Sequence, residues 1–465
     1  MNASPPLIQP DRGQEAIAIH LLDKAGFANW GKRLSAGQRA ALTGQRFEGA
    51  VNQVGIVPDG DGWFAVGGVA DPAQFTSWCL AKLAEALPAG TYRLASQDQQ
   101  AGATLHGWQL AQYRYDRYRQ DDNPEGPRIL LTGDVARIDD AIAEADAVCL
   151  VRDLVNAPAE DMGPAALEEQ AEQLAKAHGA VLKTTRGDAL EQEYPMVHAV
   201  GRAAARHHAP RLMHLTWGQP EHPVLGIIGK GVCFDTGGLD IKPASAMLLM
   251  KKDMGGAAHA LALAGLVMRS RLPVRLHLLI PAVENAIAGN AFRPGDVLRS
   301  RQGLTVEIGN TDAEGRLILA DALTRACEEQ PDLLIDFATL TGAARVALGP
   351  DLPALMTRRD DTAAALIEAG LAADDPVWRL PLHKPYSEWL KSPIADLNNA
   401  PGNAFAGASV AGLFLDRFVS ENTDWAHFDT FAWRPEAKPG RPKGGDALGL
   451  RAAWHMLQGR YPASR

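Results

Sequence analysis

Cysteine is scarce in this chain and never closely paired. Cys79, Cys149, Cys233 and Cys327 lie far apart, which excludes a disulfide framework and a zinc–cysteine knot of the usual spacing. No run reaches the roughly 18 apolar residues that a membrane-spanning helix needs. The opening Met1-Asn2-Ala3-Ser4-Pro5-Pro6 has no positive stretch followed by an apolar core, so a secretory signal is not expected. Positive charge is not in excess. Lys and Arg number 46 against 55 Asp and Glu, a net charge of -9, which argues against a broad nucleic-acid surface. Repeats and low-complexity tracts are missing as well. These absences leave an acidic globular protein, expected in a reducing cytoplasm with no membrane partner.

The chain has 465 residues, 46% of them hydrophobic, enough for more than one core, and two domains is the expectation. Before about residue 135, turn-rich and helix-like pieces alternate. Gln74 to Leu87 has helical spacing, Pro58-Asp59-Gly60-Asp61-Gly62 reads as a turn, and Gln120 to Pro127 reads as a polar loop. Ala136 to Val155 reads as one long helix, stopped by Asn156-Ala157-Pro158. The expected division is therefore an N-terminal α/β domain over 1–156, with 136–155 as its connecting helix, and a larger C-terminal domain over 157–465. In the latter, helices at Gly163–His178, Asp253–Arg269 and Gly315–Glu329 are interspersed with strands at Val181–Thr185, Leu212–Thr216, Val224–Ile228, Val274–Ile280, Leu304–Ile308 and Asp332–Ala338. Strands separated by single helices imply crossovers and a largely parallel central sheet flanked by helices.

Asn310-Thr311-Asp312-Ala313-Glu314-Gly315-Arg316 carries the most information. Read as extended backbone, it points Asp312, Glu314 and Arg316 to the same side. Crowded carboxylates need a cation between them, and the arginine beside them suggests that an anion is held too. A second segment, Gly229-Lys230-Gly231-Val232-Cys233-Phe234-Asp235-Thr236-Gly237-Gly238, follows the apolar run Val224–Ile228. This puts Lys230 and Asp235 at the carboxyl end of a strand, where open α/β sheets bind ligands. Lys242 follows in Ile241-Lys242-Pro243. Asp253, in Asp253-Met254-Gly255-Gly256, reads as the N-cap of an apolar helix. The four acids Asp235, Asp253, Asp312 and Glu314 exceed what one divalent ion balances, so two ions are the natural solution. Oxygen donors favour Mn²⁺ or Mg²⁺, and a lysine amine also admits Zn²⁺ or Co²⁺, which leaves Mn²⁺ or Zn²⁺ open.

In these motifs, and in Ala338-Thr339-Leu340-Thr341-Gly342-Ala343, the chain closely resembles the leucyl aminopeptidase family of two-metal cytosolic enzymes. The likeness runs over roughly the last two-thirds of the chain; the first part matches little. The resemblance implies that Asp312 ligates one metal, that Lys230 and Asp253 ligate the other, and that Asp235 and Glu314 touch both. Lys230 would do so as the free amine. It implies a metal-bound hydroxide as nucleophile, Lys242 stabilising the oxyanion, and Arg316 holding a bicarbonate ion as general base. Met250, Thr339, Gly342 and Phe431 would border the pocket for the first side chain of short peptides. A homohexamer is implied for the assembly. Two stretches depart from the family. His198 to Ala203 replaces a Gly-Gln-Gly-Ser-like turn, and Asp429-Thr430-Phe431-Ala432-Trp433 stands where Asp-Ile-Ala-Gly is common. The added aromatics should shorten or redirect the pocket, so leucyl substrates are expected to rank no better than at least one other class, such as alanyl or methionyl.

Taken singly, each residue has a plainer explanation. Asp253 could be only a helix cap, Asp312 and Glu314 a solvated turn, and Lys230 a phosphate ligand, although P-loop spacing is lacking. His207-His208, among arginines, reads as a solvated loop, and Cys233 and His427 as structural. A two-metal phosphoesterase could use the same carboxylates, but it gains nothing from a lysine ligand. A DNA-binding accessory role is weighed against by the acidic balance.

Overall fold

The computed structural model describes residues 6–96, 101–119 and 126–462. Most of the expected Gln120–Pro127 loop lies outside them. The chain forms two compact units, Met1–Cys149 with Glu436–Lys443, and Leu150–Pro435 with Gly444–Arg465. The expected connecting helix runs Ile138–Asn156 and carries this division within it. Residues Glu436–Lys443 rejoin the first unit from far along the chain, which no local pattern announces.

The first unit is a six-stranded mixed sheet, parallel except at one edge, where Val54–Asp59 and Gly62–Gly68 form a hairpin. Its core gathers Ile19, Leu21, Tyr92, Leu105, Trp108 and Leu130. The helix expected over Gln74–Leu87 is confined to Ala81–Ala86. Ahead of it, the Thr76 amide and the Cys79 sulfur close a turn, a side-chain-to-backbone bond that competes with helix.

In the second unit, four adjacent strands run parallel: Trp425–Asp429, Leu333–Ala338, Val224–Gly229 and Arg275–Asn285. Both flanks turn antiparallel, through Ala354–Thr357 on one side and Arg211–Trp217 with Val181–Arg186 on the other. The sheet is thus parallel at its centre and mixed overall. The expected strand near Leu304–Ile308 shrinks to Thr305–Glu307 and pairs in a small separate sheet.

The central strands are buried on both faces, which explains their continuous apolar runs. Ile228, Leu279 and Leu334 face the core built with Leu317, Leu319 and Leu323 of the helix Gly315–Cys327. On the opposite face, Phe337 stacks on His259 of the helix Gly255–Arg269, with centroids 5.4 Å apart. That helix is apolar all round and buried along nearly its whole length. Each of its buried Leu, Val or Met side chains contributes about 1.5–3 kcal/mol relative to exposure. Its start lies close against the sheet because residue 256 is glycine: a Cβ there would sit 2.1 Å from the Phe337 carbonyl oxygen and 2.8 Å from the Lys230 nitrogen.

Candidate metal centre

The parallel strands all deliver residues at their carboxyl ends. Lys230 follows Val224–Gly229, Asp235 closes Gly231–Asp235, Asn285 closes Arg275–Asn285, Thr339 follows Leu333–Ala338, and Asp429 closes Trp425–Asp429. These ends open into a cavity of about 560 Å³ lined by the named lysines and acids.

Two expectations about local structure give way here. Asp253 is not the helix cap. The helix Gly255–Arg269 has Met254 at its N-cap position with no side-chain bond, and Asp253 lies in the 3₁₀ turn Met250–Met254. Its carboxylate is instead turned inward, accepting from Thr339 Oγ1 at 2.8 Å and pairing with Lys230 Nζ at 2.7 Å. Asn310–Arg316 is likewise not extended. Asp312 sits in a turn, Glu314 has helical backbone angles at the N-cap, and Arg316 is in the first helical turn. The convergence comes from a turn entering a helix rather than from strand alternation.

All five expected ligand side chains meet. Lys230 Nζ lies 2.7 Å from Asp253, 2.9 Å from Glu314 Oε1, and donates to the Thr339 carbonyl at 3.1 Å. Lys242 Nζ pairs with Asp235 at 2.9 Å and also with Asp312. Carboxylate oxygens of Asp235, Asp312 and Glu314 lie within 4.8 Å of one another, and this is the only such group among the described residues. Glu314 Oε2 is buried without a hydrogen-bond partner, and the buried Asp312 Oδ1 is met by Lys242.

The electrostatics follow from that crowding. Glu314 is pushed up to about 8, first by burial and next by Asp235, and Asp312 to about 6 for the same two reasons in the same order. Burial alone would lower the Lys230 amine, but Asp253, Glu314 and Asp235 outweigh it and hold it well above its ordinary value. Without an ion, the two lysines are the cations that neutralise the acids. A divalent ion fits the same place: it would meet the orphaned Glu314 oxygen and take over from the lysines the charge balance of the acids.

Arg316 is buried. It donates to the Asn399 carbonyl at 2.6 Å, while its Nε has no partner, a donor left free for an anion. Burial lowers its guanidinium to about 10. Met250, Thr339, Gly342 and Phe431 all line the cavity, whereas Trp433 is not among its lining residues and stacks near Lys251.

Sequence reasoning missed the supports. Asn285 Nδ2 donates to Asp235 at 2.9 Å and to the Thr311 carbonyl at 3.2 Å. Asn399 accepts from the Gly309 amide at 2.8 Å and donates to the Asn310 carbonyl at 2.8 Å, pinning the turn that presents Asp312. A lone asparagine far along the chain carries no spacing signal; burial is what marks these two. Lys252 and Arg345, both in the cavity wall, were also unread. Outside the site, His427 is fully buried and bonded to Asp336 at 2.6 Å, and Cys233 is packed, with burial raising its thiol. His208 is partly buried against Glu284 rather than solvated.

The catalytic-domain model of the cytosol aminopeptidase family matches residues 149–453, and the N-terminal domain model of M17 aminopeptidases matches 17–131. Kinship thus reaches the first part of the chain too, where no motif reveals it. A probable cytosol aminopeptidase of Syntrophotalea carbinolica is 40% identical over 371 residues, 76% of this chain and 74% of its own length. Peptidase B of Pectobacterium carotovorum subsp. carotovorum is 41% identical, covering 76% of this chain and 83% of its own. Among solved structures, the cytosol aminopeptidase from Coxiella burnetii superposes with a TM-score of 0.92 at 44% identity, over 98% of this chain and 99% of that one. The bottromycin maturation enzyme BotP in complex with Mn does so at 0.86 and 33% identity, over 96% of this chain and 100% of that one.

Proposed function

We propose, from the premise that this chain belongs to the cytosol aminopeptidase family and is an aminopeptidase, that it removes the first residue of short peptides at a centre of two divalent ions. Lys230, Asp235, Asp253, Asp312 and Glu314 would hold them. The observation that carries this reading is the meeting of those five side chains, with the buried Glu314 Oε2 left without a hydrogen bond. The Mn bound to BotP supports manganese as one of the ions, with zinc the alternative. Such ions, when bound, would acidify a water and polarise a peptide carbonyl.

The chain's own groups supply the rest. Lys230 gives up its proton to become a donor, and the excess positive charge that an ion brings favours that loss. Lys242 remains an ammonium. Released from Asp235 and Asp312, it is free to donate to the oxyanion of the tetrahedral species. Arg316, with Nε unpaired, would hold a bicarbonate ion, which would supply a general base. The apolar floor at Met250 and the ring of Phe431 receive the first side chain. A homohexamer located in the cytosol completes the proposal. The motif resemblance supports the assembly, and the relatives' name the location.

The test is chelation followed by titration with Mn²⁺, with metal counted by elemental analysis beside aminoacyl-nitroanilide turnover. Activity returning only with the second equivalent per chain supports two ions. Full activity at one equivalent overturns them.

A further inference from the structure

Two cations in the cavity wall have no role in the chemistry above. The Lys252 side chain is only 7% exposed, yet the nearest carboxylate oxygen among the described residues, Asp253 Oδ1, is 3.7 Å away. Asp253 is already taken by Lys230 and Thr339. Asp429, the other acid on that side, is occupied by the Leu340 and Thr341 amides and the Thr341 hydroxyl. Lys252 Nζ stands 5.5 Å from the centroid of the Phe431 ring. Arg345, on the helix Gly342–Leu348, brings its guanidinium carbon to 4.7 Å from the same centroid. Its Nη2 is 4.0 Å from where a Cβ on Gly342 would be, and no carboxylate of a described residue lies within ion-pair distance. Phe431 thus gathers two cations around one ring, beside the wall that receives the first side chain of the peptide.

A buried ammonium without a counter-ion at hydrogen-bond distance is costly, and an anion brought by the ligand relieves that cost. Arg345 at the exposed side offers a planar fork for the same anion. We infer that the pocket for the first side chain takes a carboxylate, so that the enzyme releases N-terminal glutamate and aspartate in preference to their uncharged amides. Lys252 is the buried partner and Arg345 the partner at the mouth. This rests on reading the acid cluster as the site of peptide cleavage. The C-terminal carboxylate of a dipeptide offers the same chemistry, but the position of both cations at Phe431, with Arg345 also near Gly342, favours the side chain.

The experiment compares kcat/KM for glutamyl- and glutaminyl-p-nitroanilide, a near-isosteric pair with no C-terminal carboxylate, in the metal-loaded wild type, Lys252→Met and Arg345→Met. The expected glutamyl-to-glutaminyl ratio is at least about tenfold in the wild type, the difference between a charge-assisted and a neutral hydrogen bond. It should fall toward one in both variants, whatever happens to absolute rates. Arg345 is exposed, so its variant remains informative should Lys252→Met fail to fold. A wild-type ratio at or below one overturns the inference, as does a ratio that neither variant moves. A ratio near one, together with dipeptides strongly preferred over their C-terminal amides, would assign the cations to the peptide's other end and equally overturn it. Loss of turnover on every aminoacyl substrate would instead refute the cleavage reading itself.

Discussion

Replacing Gly315 by alanine tests the centre through a single methyl group. Residue 315 is the first residue of the helix Gly315–Cys327, where alanine is the better helix former by at most about 1 kcal/mol. The three atoms nearest to the added Cβ all belong to Lys230: Cε at 2.5 Å, Nζ at 2.7 Å and Cδ at 2.9 Å. Ordinary contact begins at 3.4 Å, so the lysine must withdraw by most of an ångström. Its amine cannot do so freely, because Asp253, Glu314 and the Thr339 carbonyl hold it at 2.7, 2.9 and 3.1 Å. A displacement of about 1 Å at a reacting constellation costs on the order of 10²-fold in rate. Gly315→Ala should therefore lower kcat/KM about a hundredfold and weaken binding of one metal equivalent, while thermal stability of the metal-free protein changes by no more than about 1–2 kcal/mol. Kinetics, metal analysis and calorimetry on the same preparation read all three. Wild-type kcat/KM with two ions bound would refute the placement of Lys230 against Gly315.

The remaining predictions concern the cations, the protons and the pocket. Lys242→Ala should lower kcat by about 10²–10³ with metal content intact, whereas Lys230→Ala should lose metal; equal metal loss in both would remove the division of labour between the two lysines. Metal binding should release protons. Glu314 and Asp312 keep theirs up to about pH 8 and 6 in the metal-free chain, so calorimetry in buffers of different ionisation enthalpy should show affinity falling as pH drops through that window, and a pH-independent affinity would contradict it. The sign for stability is the reverse. Because folding raises the Glu314 value from 4.5, its contribution in metal-free protein is complete below that pH and lost as pH rises toward 8, so the gap in Tm between loaded and metal-free protein should widen over that range. Phe431→Ala should shift the substrate ranking toward bulkier apolar side chains, and an unchanged profile across a panel of aminoacyl substrates would place the ring outside the pocket.

The sequence by itself determined much of this protein. The apolar run Val224–Ile228 ending in glycines, and the run of small and aliphatic residues before Arg269, fix a buried strand and a buried helix, because no other arrangement hides such surface. The motif residues, read together and through their resemblance to the family, pointed to the ligand set proposed here, since four acids and a lysine in that order have few uses. What sequence could not supply was direction. Asp253 has the local signature of a helix cap, and only the approach of Lys230 and Thr339, from other strand ends, turns it inward. Asp312, Glu314 and Arg316 share a face through a turn into a helix rather than by strand alternation, because Asn399, remote in sequence, pins that turn. Lys252 and Arg345 carry no spacing signal in the sequence. Their meeting on the ring of Phe431 is a product of three separate segments, and burial, which converts a solvated charge into a demand for a counter-ion, exists only in the folded chain.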